Sequence, residues 1–145
     1  MRILGIDYGD SKVGLAITDA LGITSQGLKT IMYKGNDKVL LKELDLIMEQ
    51  YEISTIVVGM PYNMDGSKTI RAEVTEKFIH KLKCKYNKIE IDTIDERLST
   101  VAANKTLNFL DVNKKKKKEI EDTVAAVYIL ETYMNKRRKT NESIT

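Results

Sequence analysis

The first apolar run of the chain, Ile3-Leu4-Gly5-Ile6, ends at a carboxylate, Asp7. A run this short, rich in β-branched residues and apolar on both alternating faces, is typical of a central strand covered on both sides. An ionised group at the end of such a strand costs several kcal/mol if it loses its water without gaining a partner. Asp7 is therefore either a turn residue that leads into Gly9 or a carboxylate that faces a metal ion or a phosphate at the edge of a sheet.

Apolar patterns along the rest of the chain alternate between two periods, which predicts an α/β fold. The first three segments alternate as strands and are joined by connections short enough for antiparallel hairpins. Later segments switch between the helical and the strand period, so that helical crossovers join further strands in parallel. The predicted strands are Arg2–Asp7, Val13–Thr18, Gly27–Tyr33, Thr55–Gly59 and Ile89–Asp95, and the predicted helices cover about residues 36–51, a segment marked by Ile70, Val74, Phe78 and Leu82, about residues 100–108 and about residues 117–134. We expect one domain over residues 1–134, built on a five-stranded mixed sheet flanked by helices, and a polar, flexible tail over residues 135–145.

Composition limits the classes of protein that this sequence can encode. Its 145 residues are 42% hydrophobic and 31% charged, as in a globular protein with a single core. Cys84 is the single cysteine, which excludes an internal disulfide and fits a reducing compartment. The first apolar run is too short for a signal peptide, and no apolar stretch approaches the roughly 20 residues needed to cross a bilayer. We therefore expect a cytoplasmic protein with no membrane partner.

Basic residues are concentrated in two blocks near the C-terminus. The net charge is only +3, but five consecutive lysines are followed by a second basic block, Lys136-Arg137-Arg138-Lys139. Such blocks are either solvated faces and tails or the electrostatic footprint of nucleic-acid binding. The five consecutive lysines are Lys114, Lys115, Lys116, Lys117 and Lys118.

Carboxylates follow several of the predicted strands. Asp7 ends the first strand, Asp95 and Glu96 end the last, and Asp65 lies in the loop after the fourth. The carboxyl ends of parallel strands share one edge of a sheet. If the first, fourth and fifth strands are parallel, these carboxylates reach the same edge.

The last predicted helix contributes a further acidic residue. Asp122 shares a helical face with Ala125, Ala126 and Ile129 by its spacing. Small residues allow a helix to pack closely on a sheet, so Asp122 is expected to point inward. Stabilisation by the helix dipole in the first turn is an alternative explanation for an acidic residue at this place.

The composition of this acidic set favours hard metal ions. Oxygen ligands without neighbouring histidines or cysteines suit Mg²⁺ or Mn²⁺ better than zinc. Two such ions can activate a water and stabilise the leaving oxygen of a phosphodiester. Arg97 either binds a phosphate oxygen there or pairs with Asp95 or Glu96. The single histidine, His80, is expected to be a solvated residue of the second helix.

Four motifs in this order resemble the YqgF family, also called RuvX, of the RNase H-like superfamily. The motifs are Gly5-Ile6-Asp7-Tyr8-Gly9 with Val13-Gly14-Leu15-Ala16, Gly59-Met60-Pro61 with Asp65-Gly66-Ser67, Asp95-Glu96-Arg97-Leu98-Ser99-Thr100, and Asp122 with Ala125-Ala126 and Ile129-Leu130. They span residues 1 to about 134, and the combination is highly specific. One departure is visible, because Ser11-Lys12 stands where the family often has a basic pair. Lys12 can keep a phosphate contact but lacks the forked geometry of arginine.

The resemblance implies an RNase H-like fold and a metal-dependent nuclease that acts on RNA or on branched DNA. The family is linked to processing of the 5′ end of pre-16S ribosomal RNA and, by analogy with RuvC, to resolution of Holliday junctions. Asp7, Glu96 and Asp122 match the positions expected to hold the metal and carry catalysis, and Asp65 and Asp95 match motif positions of less defined role. The protein is expected to act as a monomer or a homodimer.

Two other classes of function fit part of the sequence. A non-catalytic nucleic-acid-binding domain would explain the basic blocks alone. The first motif, around Asp7, also resembles the phosphate loop of the actin, sugar-kinase and Hsp70 type. Those proteins enclose a nucleotide between two such domains, and this sequence holds one copy of the motif. Retention of the three acidic positions favours the nuclease over the non-catalytic binder.

Overall fold

The computed structural model describes residues 1–98 and 114–144, with side chains described for residues 1–98 and 123–138. Within these residues the elements are β1 (Arg2–Tyr8), β2 (Lys12–Thr18), β3 (Ser25–Met32), α1 (Asp37–Gln50), β4 (Ile53–Met60), α2 (Ile70–Lys85), β5 (Glu90–Asp95), a 3₁₀ turn (Glu96–Leu98) and α3 (Lys114–Ile144). The short helix predicted over residues 100–108 lies outside the described residues.

The five strands form one mixed sheet in the order β3-β2-β1-β4-β5. β1 and β3 are both antiparallel to β2, as the short connections predicted. β4 is parallel to β5, as expected for strands joined by a helix, and it is also parallel to β1. The predicted mixed sheet is confirmed, and its central strand β1 ends beside the ends of β4 and β5.

The two faces of the sheet carry separate parts of the core. Because side chains alternate along a strand, Leu4 and Ile6 pack with α1 and α2, whereas Ile3 packs with α3. Ala126 and Ile129 of α3 are fully buried against the second face. Asp7 has the same parity as Ile3, so it lies on the α3 face.

The inward face of α2 differs from the predicted one. Ile70 is 81% exposed, and the buried residues of the helix are Ala72, Thr75, Phe78, Ile79 and Leu82. The Thr69 hydroxyl caps the helix by accepting a hydrogen bond from the Ala72 amide at 2.9 Å. This cap makes Ile70 the first helical residue, where its side chain projects into solvent.

α3 continues beyond the helix end predicted at about residue 134, and that prediction is wrong. The helix reaches Ile144, so most of the segment predicted as a tail is helical. Residues 135–138 are exposed and polar, but lysine and arginine are good helix formers. The Arg138 guanidinium also donates to the Ile23 carbonyl at 3.3 Å. None of the helices within the described residues is both long and apolar enough to span a membrane.

Candidate active site

Asp7 and Glu96 form a carboxylate pair at the carboxyl edge of the sheet. Asp7 is near the end of β1, and Glu96 directly follows β5 as the first residue of the 3₁₀ turn. The two side chains share a hydrogen bond. Glu96 reaches inward over β4 because Gly59 has no side chain there. A Cβ on Gly59 would lie 2.6 Å from Glu96 Oε1 and 2.8 Å from Glu96 Cγ.

The electrostatics of this carboxylate pair are unfavourable for two full negative charges. Burial is the main cause that raises the pKa of Glu96 to about 8, and the charge and hydrogen bond of Asp7 add to it. Asp95 acts in the same direction more weakly, whereas the Arg71 guanidinium lowers the pKa of Glu96. Without a cation, the carboxylate pair therefore retains a proton at neutral pH.

Asp122 belongs to a helix that crosses above this edge. The third predicted acidic residue has its backbone in α3, but its side chain lies outside the described residues. Ile129 follows seven positions later, a spacing that shares a helical face. Its Cδ1 would lie 2.6 Å from a Cβ placed on Gly59. This contact places Ile129 of α3 beside Gly59 and Glu96. Among the described side chains, no three acidic, histidine or cysteine residues form a group that could hold a metal ion.

The other acidic candidates, Asp65 and Asp95, have structural partners. Both oxygens of Asp95 accept from Arg97 Nε, at 3.0 and 2.9 Å, so the salt-bridge explanation of Arg97 describes the structure. Arg97 Nη1 also donates to the Met64 carbonyl at 3.2 Å. Asp65 accepts from the Ser67 amide at 2.9 Å and its hydroxyl at 2.6 Å within its own loop. These bonds hold the pKa of both carboxyl groups below the usual range.

The predicted basic contacts and His80 lie in three different settings. Lys12 is the first residue of β2, next to the edge that carries Asp7. The lysines at 114–118 open α3, and their side chains lie outside the described residues. His80 is exposed on α2, where its Nε2 lies 3.7 Å from Cys84 Sγ, as expected for a solvated helical histidine.

Arg71 is a cation at this edge that the sequence interpretation missed. It lies in the first turn of α2, where its Nη2 donates to the Tyr8 carbonyl at 2.7 Å. Its guanidinium carbon is 5.0 Å from the centre of the Tyr8 ring, and its Nη1 is 2.8 Å from Asp10 Oδ1. The sequence did offer one signal for Arg71. Thr69 caps α2, so Arg71 lies in the first turn of this helix, which follows the loop after β4 at the same edge of the sheet.

Replacement of Gly59 by alanine should impair the carboxylate pair more than the fold. The new Cβ would collide with the ends of two flexible side chains, Glu96 and Ile129, and both would have to move. We expect at least about a tenfold loss of the hydrolysis that the family resemblance implies, the order found for residues that support a metal ligand. We also expect a cost in stability of about 1–3 kcal/mol, as for an overpacked core. Cleavage assays and urea unfolding of the same preparations measure the two effects.

Adding Ile129→Val to Gly59→Ala provides a matched control. It removes the colliding Cδ1 of Ile129 but leaves the collision with Glu96. Stability should recover in the double variant while hydrolysis stays low. Recovery of hydrolysis together with stability would show that Gly59 serves the packing of α3 only.

The order and directions of the five strands are those of proteins with the RNase H-like fold. A Holliday junction resolvase of fowlpox virus matches with a TM-score of 0.57 at 12% identity, over 94% of this chain and 99% of its own. The RuvC protein of Thermus thermophilus, solved in complex with a Holliday junction substrate, matches with a TM-score of 0.57 at 9% identity, over 95% and 96% of the two chains. At these identities the likeness shows the fold, and the predicted RNase H-like fold is confirmed.

The chain belongs to the RuvX family. The family model, described as "RuvX: Holliday junction resolvase", matches residues 1–136. A protein of Acetivibrio thermocellus named "Putative pre-16S rRNA nuclease" is 47% identical over 139 residues, which cover 96% of this chain and 99% of the relative. A protein of Clostridium acetobutylicum with the same name is 44% identical over 135 residues, covering 93% and 98% of the two chains. The family predicted from the four motifs is confirmed.

Proposed function

We propose that this protein is a metal-dependent endonuclease that hydrolyses phosphodiester bonds in structured nucleic acid. We further propose processing of the 5′ end of pre-16S ribosomal RNA, in the cytoplasm, as its reaction. The observation that carries the proposal is the half-buried pair of Asp7 and Glu96 at the carboxyl edge of the sheet. The names of the relatives at 47% and 44% identity support the choice of RNA.

The carboxylate pair fits a bound divalent cation. Two neighbouring carboxylates in a desolvated place repel each other, and a cation between them removes the repulsion. All of the donors are oxygens, which suits Mg²⁺ or Mn²⁺. We propose that Asp7 and Glu96 hold the ion, with Asp122 as the third ligand. When bound, the ion would supply Lewis-acid activation of a water and stabilisation of the leaving oxygen.

The protein's own groups would keep this site in order before substrate arrives. Gly59 leaves room for Glu96 to reach Asp7, and the Arg97 ion pair ties Asp95 to the loop after β4. Glu96 is therefore the carboxylate of the Asp95-Glu96 pair that remains directed at Asp7. The proton retained by Asp7 and Glu96 has to leave before the pair can hold a cation with full affinity.

Resolution of Holliday junctions is the second candidate function. The description of the family model favours it, since that description names a Holliday junction resolvase. A non-catalytic nucleic-acid-binding domain is the third candidate, but phosphate binding alone gives no reason to bury two carboxylates side by side. We therefore rank the nuclease above the binding domain.

A comparison of two substrates tests the proposed function. We expect the purified protein to cut an RNA that carries the 5′ extension of pre-16S rRNA when Mg²⁺ is present, and to lose this activity in EDTA. Cleavage of a four-way DNA junction without cleavage of the RNA would favour the resolvase. Binding of both substrates without cleavage in Mg²⁺ or Mn²⁺ would overturn the assignment as a nuclease.

The lysine run is a separate prediction about substrate binding. We propose that Lys114, Lys115, Lys116, Lys117 and Lys118, together with Lys12 and Arg97, contact phosphates without reading base sequence. Replacing Lys115, Lys116 and Lys117 with alanine should then weaken binding of every substrate alike. Each lost contact on a single strand should reduce the slope of log affinity against log salt by roughly 0.7. A slope unchanged in the triple variant would identify the run as a solvated surface.

A further inference from the structure

We propose that the Arg71 guanidinium is a binding site for a backbone phosphate of the nucleic-acid substrate, which Asp10 occupies in the free protein. This inference rests on the proposed function, because it takes the edge that carries Asp7 as the place where the strand lies. It assigns to Arg71 a direct contact with substrate that the four sequence motifs do not include.

The Arg71 guanidinium is held in place by contacts that do not involve Nη1. Nη2 donates to the Tyr8 carbonyl at 2.7 Å, and the group lies over the Tyr8 ring at 5.0 Å. The ring itself is stacked on Phe78 with 4.2 Å between centroids, and its hydroxyl donates to Asp37 at 2.6 Å. Arg71 is thus fixed one residue away from Asp7 on β1, with only 29% of its side chain exposed.

Asp10 is bound to the remaining edge of Arg71 but is itself open to solvent. Its carboxylate lies 2.8 Å from Nη1, and its side chain is 83% exposed. An ion pair with so exposed a partner contributes little to stability, so an anion with more charge can displace it. A phosphate oxygen can accept the same charge-assisted hydrogen bond from Nη1 that the Asp10 carboxylate accepts.

The turn that carries Asp10 does not depend on the carboxylate. The Gly9 amide donates to the Lys12 carbonyl at 3.0 Å, and the Tyr33 and Lys34 amides donate to the Ser11 carbonyl at 3.1 and 3.0 Å. These are backbone bonds, so the Asp10 side chain can leave Arg71 without unfolding the turn. Among the described cations, Lys68 in the loop after β4 is bound to Glu76 at 2.8 Å.

Binding of a fluorescently labelled single-stranded RNA in EDTA tests the proposal without hydrolysis. Arg71→Met should weaken binding about tenfold at low salt, the order expected for one lost hydrogen bond between charged groups. It should also flatten the log–log salt dependence by roughly 0.7. Asp10→Asn should instead tighten binding, because the competing carboxylate is gone.

The opposite signs distinguish a phosphate site from a structural ion pair. If Asp10 and Arg71 only stabilise the fold, both single variants should weaken binding, and that result would overturn the proposal. Tightening by Asp10→Asn that persists in the Arg71→Met background would also overturn it, because the effect would then be general charge. If Arg71→Met does not fold, Arg71→Lys takes its place in the double-mutant cycle. Asp10→Asn should then tighten binding less in the Arg71→Lys background than in the wild-type protein.

The measurement also separates this inference from the proposed function. RNA binding that follows these signs in a protein that never cleaves RNA or DNA would sink the nuclease and retain the Arg71 site. If cleavage depends on Asp7 but Arg71→Met leaves the RNA affinity unchanged, the nuclease is retained and the Arg71 site is refuted.

Discussion

Asp7→Asn should abolish hydrolysis while leaving nucleic-acid affinity intact or slightly tighter. The amide keeps the size of the side chain but removes one of the two charges that would hold the metal. Mutations that only support a metal ligand cost about 10–100-fold, so the loss of a ligand should cost at least about a hundredfold. Removing a negative charge from an edge that faces phosphates does not weaken the Coulombic attraction. Single-turnover cleavage and binding in EDTA measure the two properties separately.

Glu49→Gln is a matched control for this change of charge. Glu49 is exposed, and it borders a cavity with Met1 and Ile53, at the opposite end of β1 and β4. Its replacement removes the same charge without approaching the carboxylate pair, so cleavage should stay at the wild-type rate. Full activity of Asp7→Asn in Mg²⁺ would refute the assignment of Asp7 as a metal ligand.

The second large effect is a fall in the stability of the metal-free protein as pH rises. Burial and the charge of Asp7 raise the pKa of Glu96 from 4.5 to about 8 on folding. Below pH 4.5 the group is protonated in both states, so its stabilising contribution is fully present. Between the two pKa values the folded protein retains a proton that the unfolded chain has released. The free energy of unfolding should therefore fall by up to about 1.4 kcal/mol per pH unit, and level off above pH 8.

Urea unfolding from pH 5 to pH 9 in EDTA, compared between the wild-type protein and Glu96→Gln, measures this slope. Glutamine does not titrate, and the carboxyl groups whose pKa is lowered, such as those of Asp45 and Asp95, stay ionised over this pH range in both proteins. The difference between the two profiles should isolate the carboxylate pair. Mg²⁺ should flatten the wild-type profile, because the cation replaces the proton between Asp7 and Glu96. Parallel profiles without metal would show that burial beside Asp7 does not raise the pKa of Glu96.

The local pattern of apolar residues predicted the sheet, because the central strands of a sheet are the segments that are apolar on both faces. The runs around Ile6 and Val58 are central strands. Two antiparallel pairings give β3 the direction of β1, and the helix α1 that joins β3 to β4 gives β4 that direction too. The position of Asp7 at the end of such a run predicted the candidate site before any tertiary information. The pairing of Asp7 with Glu96 follows from the same reasoning, because parallel strands end at one edge.

The sequence by itself determined the order of strands and helices in the described residues, the family, and the edge of the sheet that carries Asp7 and Glu96. Tertiary structure decided which of the acidic residues meet. Asp95 and Glu96 are neighbours in sequence, yet their side chains have different partners. Asp95 binds Arg97, whereas Glu96 lies in the space above Gly59. Arg71 reaches Tyr8 across 63 positions, a contact that no local period encodes. Strand and helix patterns depend on near neighbours, whereas these contacts depend on where two distant backbones approach.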